Sequence, residues 1–140
     1  MSQLSITIGR ILLGLYFFMP GLMKASQPAQ TIAYMESHAI PFAAPLMWVS
    51  ALANLAGGVL LITGRHVKLV AYGCVIYVLL VNFMLHDFWT MEGPIVERET
   101  QNFIKNLGIL AGLLVLAGMS PARAISASGW WKSDAAATNG

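Results

Sequence analysis

The chain has 140 residues, of which 57% are hydrophobic and only 10% charged, far below the roughly 25% charged of an average soluble domain. That balance excludes a soluble globular fold and predicts an all-α integral membrane protein, one bundle of a few helices at this length. A formal net charge of +2 without a basic, aromatic-interleaved cluster excludes nucleic acid as a partner. The single cysteine, Cys74, excludes an internal disulfide or a dithiol relay.

Ser5 to Met23 is almost continuously apolar, long enough to span roughly 30 Å of hydrocarbon as the first transmembrane helix. Met1 to Ala25 has the outline of a signal peptide, but the run is too long for one, so the segment reads as a retained span. Arg10, Gly14, Phe17, Gly21 and Lys24 recur at helical spacing and form one stripe, charged at both ends and mostly small between, that should face the bundle. Pro20 should kink or end the helix. Ala25 to Pro45 is too polar to span; it is broken by Pro28, Pro41 and Pro45, and its amphipathic piece from Gln30 to His38 should lie on the membrane surface.

Leu46 to Thr63 is the second helix, with Ser50, Asn54, Gly57, Gly58 and Leu61 on one small, weakly polar side suited to helix contact. Gly64-Arg65-His66 is a tight turn that makes the second and third helices antiparallel. The third, Val67 to Leu85, ends in a polar knot of Asn82, His86 and Asp87, followed by Phe88-Trp89 as interfacial anchors. Thr90 to Gln101 reads as an acidic loop containing Glu92, Glu97, Arg98 and Glu99. The fourth helix then runs from Asn102 to Met119. Asn102, Lys105 and Asn106 share a face at its polar mouth, and Gly108 and Gly112 form a small-xxx-small pair further in. The reading is thus a four-helix up-and-down bundle over residues 1–119, with helices at about 5–23, 46–63, 67–85 and 102–119. Residues 120–140 form a tail whose Trp130-Trp131 pair anchors at the interface and whose last residues should be disordered.

Arg10, Arg65, Lys68, Arg123 and Lys132 fall on the side of both termini, and Lys24, Arg98 and Lys105 on the other. Five against three places both termini in the cytoplasm. The candidate polar site is then an outer-leaflet cluster of Asn82, His86, Asp87, Lys105 and Asn106, with Asp87 paired to Lys105 and a roof from Glu36 and His38. Ionisable groups at membrane depth are costly, so they pair, face the bundle and often mark function. The cluster suits hydrogen bonds to the carbonyls of a quinone, or an anion held against Lys105 and Arg98; the bland alternative is an ion pair that sets helix register. Arg10 reads as the cationic end of an internal polar path to Lys24, or as a side chain snorkelling to head groups. Asn54 reads as a helix-interface residue. No metal site is expected, because the spacing of His38, His86, Glu36 and Asp87 matches no ligand motif. No haem is expected either, because His66 lies on the opposite side from His38 and His86.

Several of these words resemble the DoxX family of small bacterial inner-membrane proteins. Gly9-Arg10-Ile11-Leu12-Leu13-Gly14 with Gly21-Leu22-Met23-Lys24 looks like the family's first helix. Ile40-Pro41, then Asn54-Leu55-Ala56-Gly57-Gly58 with Gly64, and Phe103-Ile104-Lys105-Asn106-Leu107 follow in the family's order, so that the resemblance covers Ile6 to Ala117. One departure is Asn54, where the family usually carries a glutamate: an amide donates and accepts hydrogen bonds but takes up no proton.

The resemblance implies a multi-pass protein of the bacterial inner membrane, similar to subunits of thiosulfate:quinone oxidoreductase and to components associated with oxidative-stress enzymes. The expected function is a membrane subunit of a redox system, anchoring or docking a partner oxidoreductase and contacting quinone at the outer leaflet. Having no recognisable redox centre, it is not expected to catalyse alone. Competing readings are a non-catalytic structural or assembly subunit packing against other membrane helices, or against further copies of itself, and a small-solute or lipid carrier. The carrier is disfavoured because no inverted repeat is visible.

Overall fold

The computed structural model describes residues 2–138. Its helices are α1 (Ser2–Ser26), α2 (Pro28–Ser37), α3 (Ala43–Thr63), α4 (Val67–Leu85), α5 (Ile95–Met119) and α6 (Asp134–Thr138), with a short 3-10 turn at Phe88–Thr90. Four of them, α1, α3, α4 with its 3-10 continuation, and α5, are long and apolar enough to cross a membrane. There are no strands among the described residues, and the chain is an all-α membrane bundle.

The bundle is built from two helix pairs. α1 lies along α3 and α4 along α5, while contact between the pairs is sparse. The first pairing follows from glycine. A Cβ added at Gly14 would sit 2.9 Å from the Gly58 carbonyl oxygen, and one at Gly58 would sit 2.8 Å from that of Gly14, so the two backbones touch where neither helix has a side chain. Gly21 repeats the arrangement two turns on, against Asn54 and Leu55. The predicted stripe of α1 therefore does face inward: Gly14, Phe17 and Gly21 are its buried residues. Phe17, Leu61, Ala71, Val78 and Leu113 join in the main apolar core, and α2 closes a smaller one through Met35 against Met47 and Ala51 of α3.

Three expectations need correction. The Gly108–Gly112 pair is not a packing surface: a side chain at Gly108 would meet open space, and one at Gly112 only Leu13 at 3.8 Å. Small-residue spacing permits close approach without choosing the partner, and here α1 and α3 took it. Pro20 does not end α1, which continues to Ser26. The acidic segment before Asn102 is not a loop. α5 begins at Ile95, behind Gly93 (φ 77°) and Pro94, and Glu97 in its first turn favours the helix dipole.

At the end that carries the α3–α4 turn, the chain closes on itself. Gly64, at φ 68°, caps α3 in the left-handed region. Arg10 reaches across and donates Nη1 to the carbonyls of Leu61 and Ile62. These carbonyls lie in the last turn of α3, at the negative end of its dipole, and the first of them also accepts the capping Gly64 N–H. The tail folds back as well. Asp134 accepts the backbone N–H of His66 at 2.8 Å and of Val67 at 2.9 Å, capping α4 from a distant part of the sequence, and Arg123 holds it at 3.3 Å. The segment expected to be a loose tail is thus tied to the turn through α6. Trp130 and Trp131 remain half exposed, with Arg65 stacked on Trp131. The disorder expected at the very end falls partly on residues 139–140, outside the described range.

Candidate functional site

Because the helix pairs meet loosely, a cavity of about 430 Å³ remains between them at the opposite end from the Arg10 closure. Lys24, from the last turn of α1, enters it and donates to Tyr77 Oη at 2.6 Å and Ser50 Oγ at 3.3 Å, tying α1 to α4 and α3. The ammonium also lies 5.3 Å from the centre of the Tyr77 ring.

A second polar bridge crosses the cavity floor. Tyr16 Oη of α1 donates to Asn106 Oδ1 of α5 at 2.8 Å, and Asn106 Nδ2 donates to Asn82 Oδ1 of α4 at 2.7 Å. Asn82 Nδ2 donates in turn to the Phe103 carbonyl at 3.2 Å. Three elements are joined by a directional chain of neutral donors and acceptors whose two asparagines are buried and whose tyrosine is partly exposed.

At the rim, His86 donates Nδ1–H to Glu99 Oε2 at 2.6 Å, and Asn102 Nδ2 donates to the same oxygen at 3.2 Å. The other carboxylate oxygen accepts from Arg98 Nε at 3.3 Å. Glu99 is only 1% exposed and is consumed by these contacts. His86 and Asn102 line the cavity while the carboxylate stands behind them. Tyr34 of α2 completes the roof and donates Oη to the Leu85 carbonyl at 3.1 Å. Burial first, and the nearby Glu99 charge second, push its hydroxyl up to about 12, so it remains a donor at any physiological pH.

The sequence-predicted residues divide. Asn82, His86, Lys105 and Asn106 come together as expected, and Lys24 and Asn54, thought secondary, join them; of these six, all but Asn82 line the cavity. Lys105 and Asp87, however, do not pair. The ion pairs among the described residues are His86–Glu99, Arg98–Glu99 and Arg123–Asp134. α4 stops at Leu85, and Asp87 instead starts the 3-10 turn, accepting Thr90 Oγ1 at 2.7 Å. Glu36 is exposed, and His38 turns onto the Tyr34 ring and carbonyl, so neither roofs the site. Arg10 belongs to the other end of the bundle.

Glu99 was missed because a carboxylate among Glu92, Glu97 and Arg98 reads as solvated surface. Only the helical register, which sets Glu99, Asn102 and Asn106 at three- and four-residue spacing, could have given it away. Tyr16 and Tyr77 were missed because a tyrosine in an apolar helix gives no sign of which way its hydroxyl points. Asn54 donates Nδ2 to the Phe17 carbonyl at 3.4 Å, and its buried Oδ1 has no partner among the described residues.

Residues 5–87 match the family model named DoxX, across the first three membrane helices. The chain belongs to the DoxX family. This DoxX protein is 27% identical over 114 residues to the inner membrane protein YphA of Escherichia coli K12, covering 81% of each chain. No solved structure matches it. The membership agrees with the four spans. Asn54 lies on the cavity wall as well as at the α1–α3 contact.

Proposed function

We propose that this DoxX protein is an inner-membrane subunit of a redox system, and that its cavity receives the head group of a quinone supplied from the bilayer. The observation that carries the reading is the cavity itself, which combines aromatic and aliphatic walls with convergent hydrogen-bond donors at membrane depth. A volume of about 430 Å³ suits a one- or two-ring head group. Lys24, Lys105 and Asn102 are donors for its carbonyl oxygens, and Phe17, Val78 and Val81 give its rings an apolar wall. Electrons would come from a partner oxidoreductase, since the wall carries no redox group of its own. The same reading puts both termini in the cytoplasm and the cavity in the outer leaflet.

The test is gentle solubilisation from native membranes, with extraction of bound quinone and identification of co-purifying proteins. Quinone retained in proportion to protein, and lost on Lys105→Ala without loss of folded protein, is the expected result. A protein recovered alone and free of quinone overturns the reading. It would favour the second one, a structural subunit, whose support is the apolar groove of about 730 Å³ between α1 and α5, where Leu12 and Val115 face outward.

A further inference from the structure

We infer that the cavity selects a head group bearing a negative charge, an ionised hydroxyl or carboxylate on a one- or two-ring molecule. The ring-shaped occupant rests on the quinone reading above, whereas the charge preference rests on the wall alone.

Two ammonium groups, Lys24 and Lys105, line the cavity, and no aspartate or glutamate lines it. Lys24 is held by two hydroxyls, which orient it but leave its charge uncompensated. Lys105, exposed at the edge of the cavity, has no carboxylate within ion-pair distance among the described residues. The two acidic groups nearest the rim are turned elsewhere. Glu99 is bound by His86, Asn102 and Arg98 behind the wall, while Asp87 accepts from Thr90 through Oδ2 and keeps a buried Oδ1 with no hydrogen-bond partner among the described residues. The remaining polar side chains of the wall are tyrosine and threonine hydroxyls and asparagine amides, all neutral, and His86, whose ring is paired with Glu99.

A membrane-embedded cation normally acquires a counter-ion, because its transfer out of water is costly. Two cations facing one void, with their carboxylates diverted, leave that role to whatever enters. An anionic oxygen would take charge-assisted hydrogen bonds from both lysines, roughly twice as strong as those to a neutral carbonyl.

The test uses the purified full-length protein in detergent micelles and three probes. They are a hydroxynaphthoquinone that is ionised at neutral pH, its neutral methyl ether, and salicylate, an anion that is not a quinone. The hydroxynaphthoquinone should bind at least about tenfold more tightly than its ether, the difference that a charge-assisted bond supplies. That ratio should fall towards one in Lys105→Gln and in Lys24→Gln; Lys105 touches no partner that its loss would strand, so it answers even if the second variant fails to fold. Equal binding of the two naphthoquinones, or a ratio unchanged in Lys105→Gln, overturns the charge selection while leaving the quinone reading standing. Binding of salicylate with neither naphthoquinone does the reverse. No binding of any probe overturns both.

Discussion

The two ends of the bundle hold similar residues and use them in opposite ways. At the closed end, Arg10 is spent on the carbonyls of α3, Asp134 on the amides of α4, and Arg123 on Asp134. Arg10 and Asp134 complete helix termini that the backbone leaves unsatisfied, and Arg123 holds Asp134 in place. At the open end, Lys24 bonds to hydroxyls and Lys105 to no side chain among the described residues, and both line a void. What distinguishes the charges at the two ends is the destination of their hydrogen bonds. Arg10 and Lys24 are both partly buried on the same apolar helix, so burial does not separate those two.

This contrast can be broken, and the largest effect should come from the packing that both ends share. Gly58→Val forces a side chain into the α1 backbone at 2.8 Å. Overpacking of this kind should cost about 3 kcal/mol and lower the thermal midpoint in detergent sharply. If that midpoint is unchanged, the α1–α3 contact does not organise the bundle. Asp134→Ala should be next, at about 1–2 kcal/mol, the usual loss of an N-cap. Because the cap is at the far end, ligand affinity at the cavity should not move; a matching loss of binding would mean that the two ends are coupled. Lys105→Ala reverses the pattern, with stability within about 0.5 kcal/mol of the parent and ligand binding reduced.

The smallest effect concerns the roof. The Tyr34 hydroxyl is raised from its ordinary value near 10 to about 12 in the folded protein, chiefly by burial. The neutral hydroxyl is therefore favoured by folding. Its contribution is fully present below pH 10 and is lost as pH rises from about 10 to about 12. An alkaline unfolding series should show a decline across that window, shallower in Tyr34→Phe than in the parent. Parallel curves would remove Tyr34 from the roof.

Much of this was legible without coordinates. The four spans followed from hydropathy, and the third helix was read at Val67 to Leu85 and found there. Asn102, Lys105 and Asn106 were read on one face because helical spacing puts them there, and all three line the cavity. Asp87 and Lys105, by contrast, were paired across the third and fourth helices, although Asp87 lies past the end of α4 at Leu85. Beyond that residue the chain leaves the helical path, and the Asp87 side chain turns to Thr90. Glu99 escaped notice for the converse reason: polar neighbours in sequence hid a residue that the fold buries.

By itself, the sequence determined the solvent, the number of crossings, the inward stripe of α1 and the polar mouth of α5, because periodicity and transfer free energy act within a single helix. Only the tertiary structure decided that Gly14 meets Gly58 while Gly108 meets nothing, that Glu99 and not Asp87 takes His86, and that Lys24 and Lys105 share one void. Those outcomes depend on which helices lie side by side, and small-residue spacing or charge sign makes many pairings permissible without selecting among them.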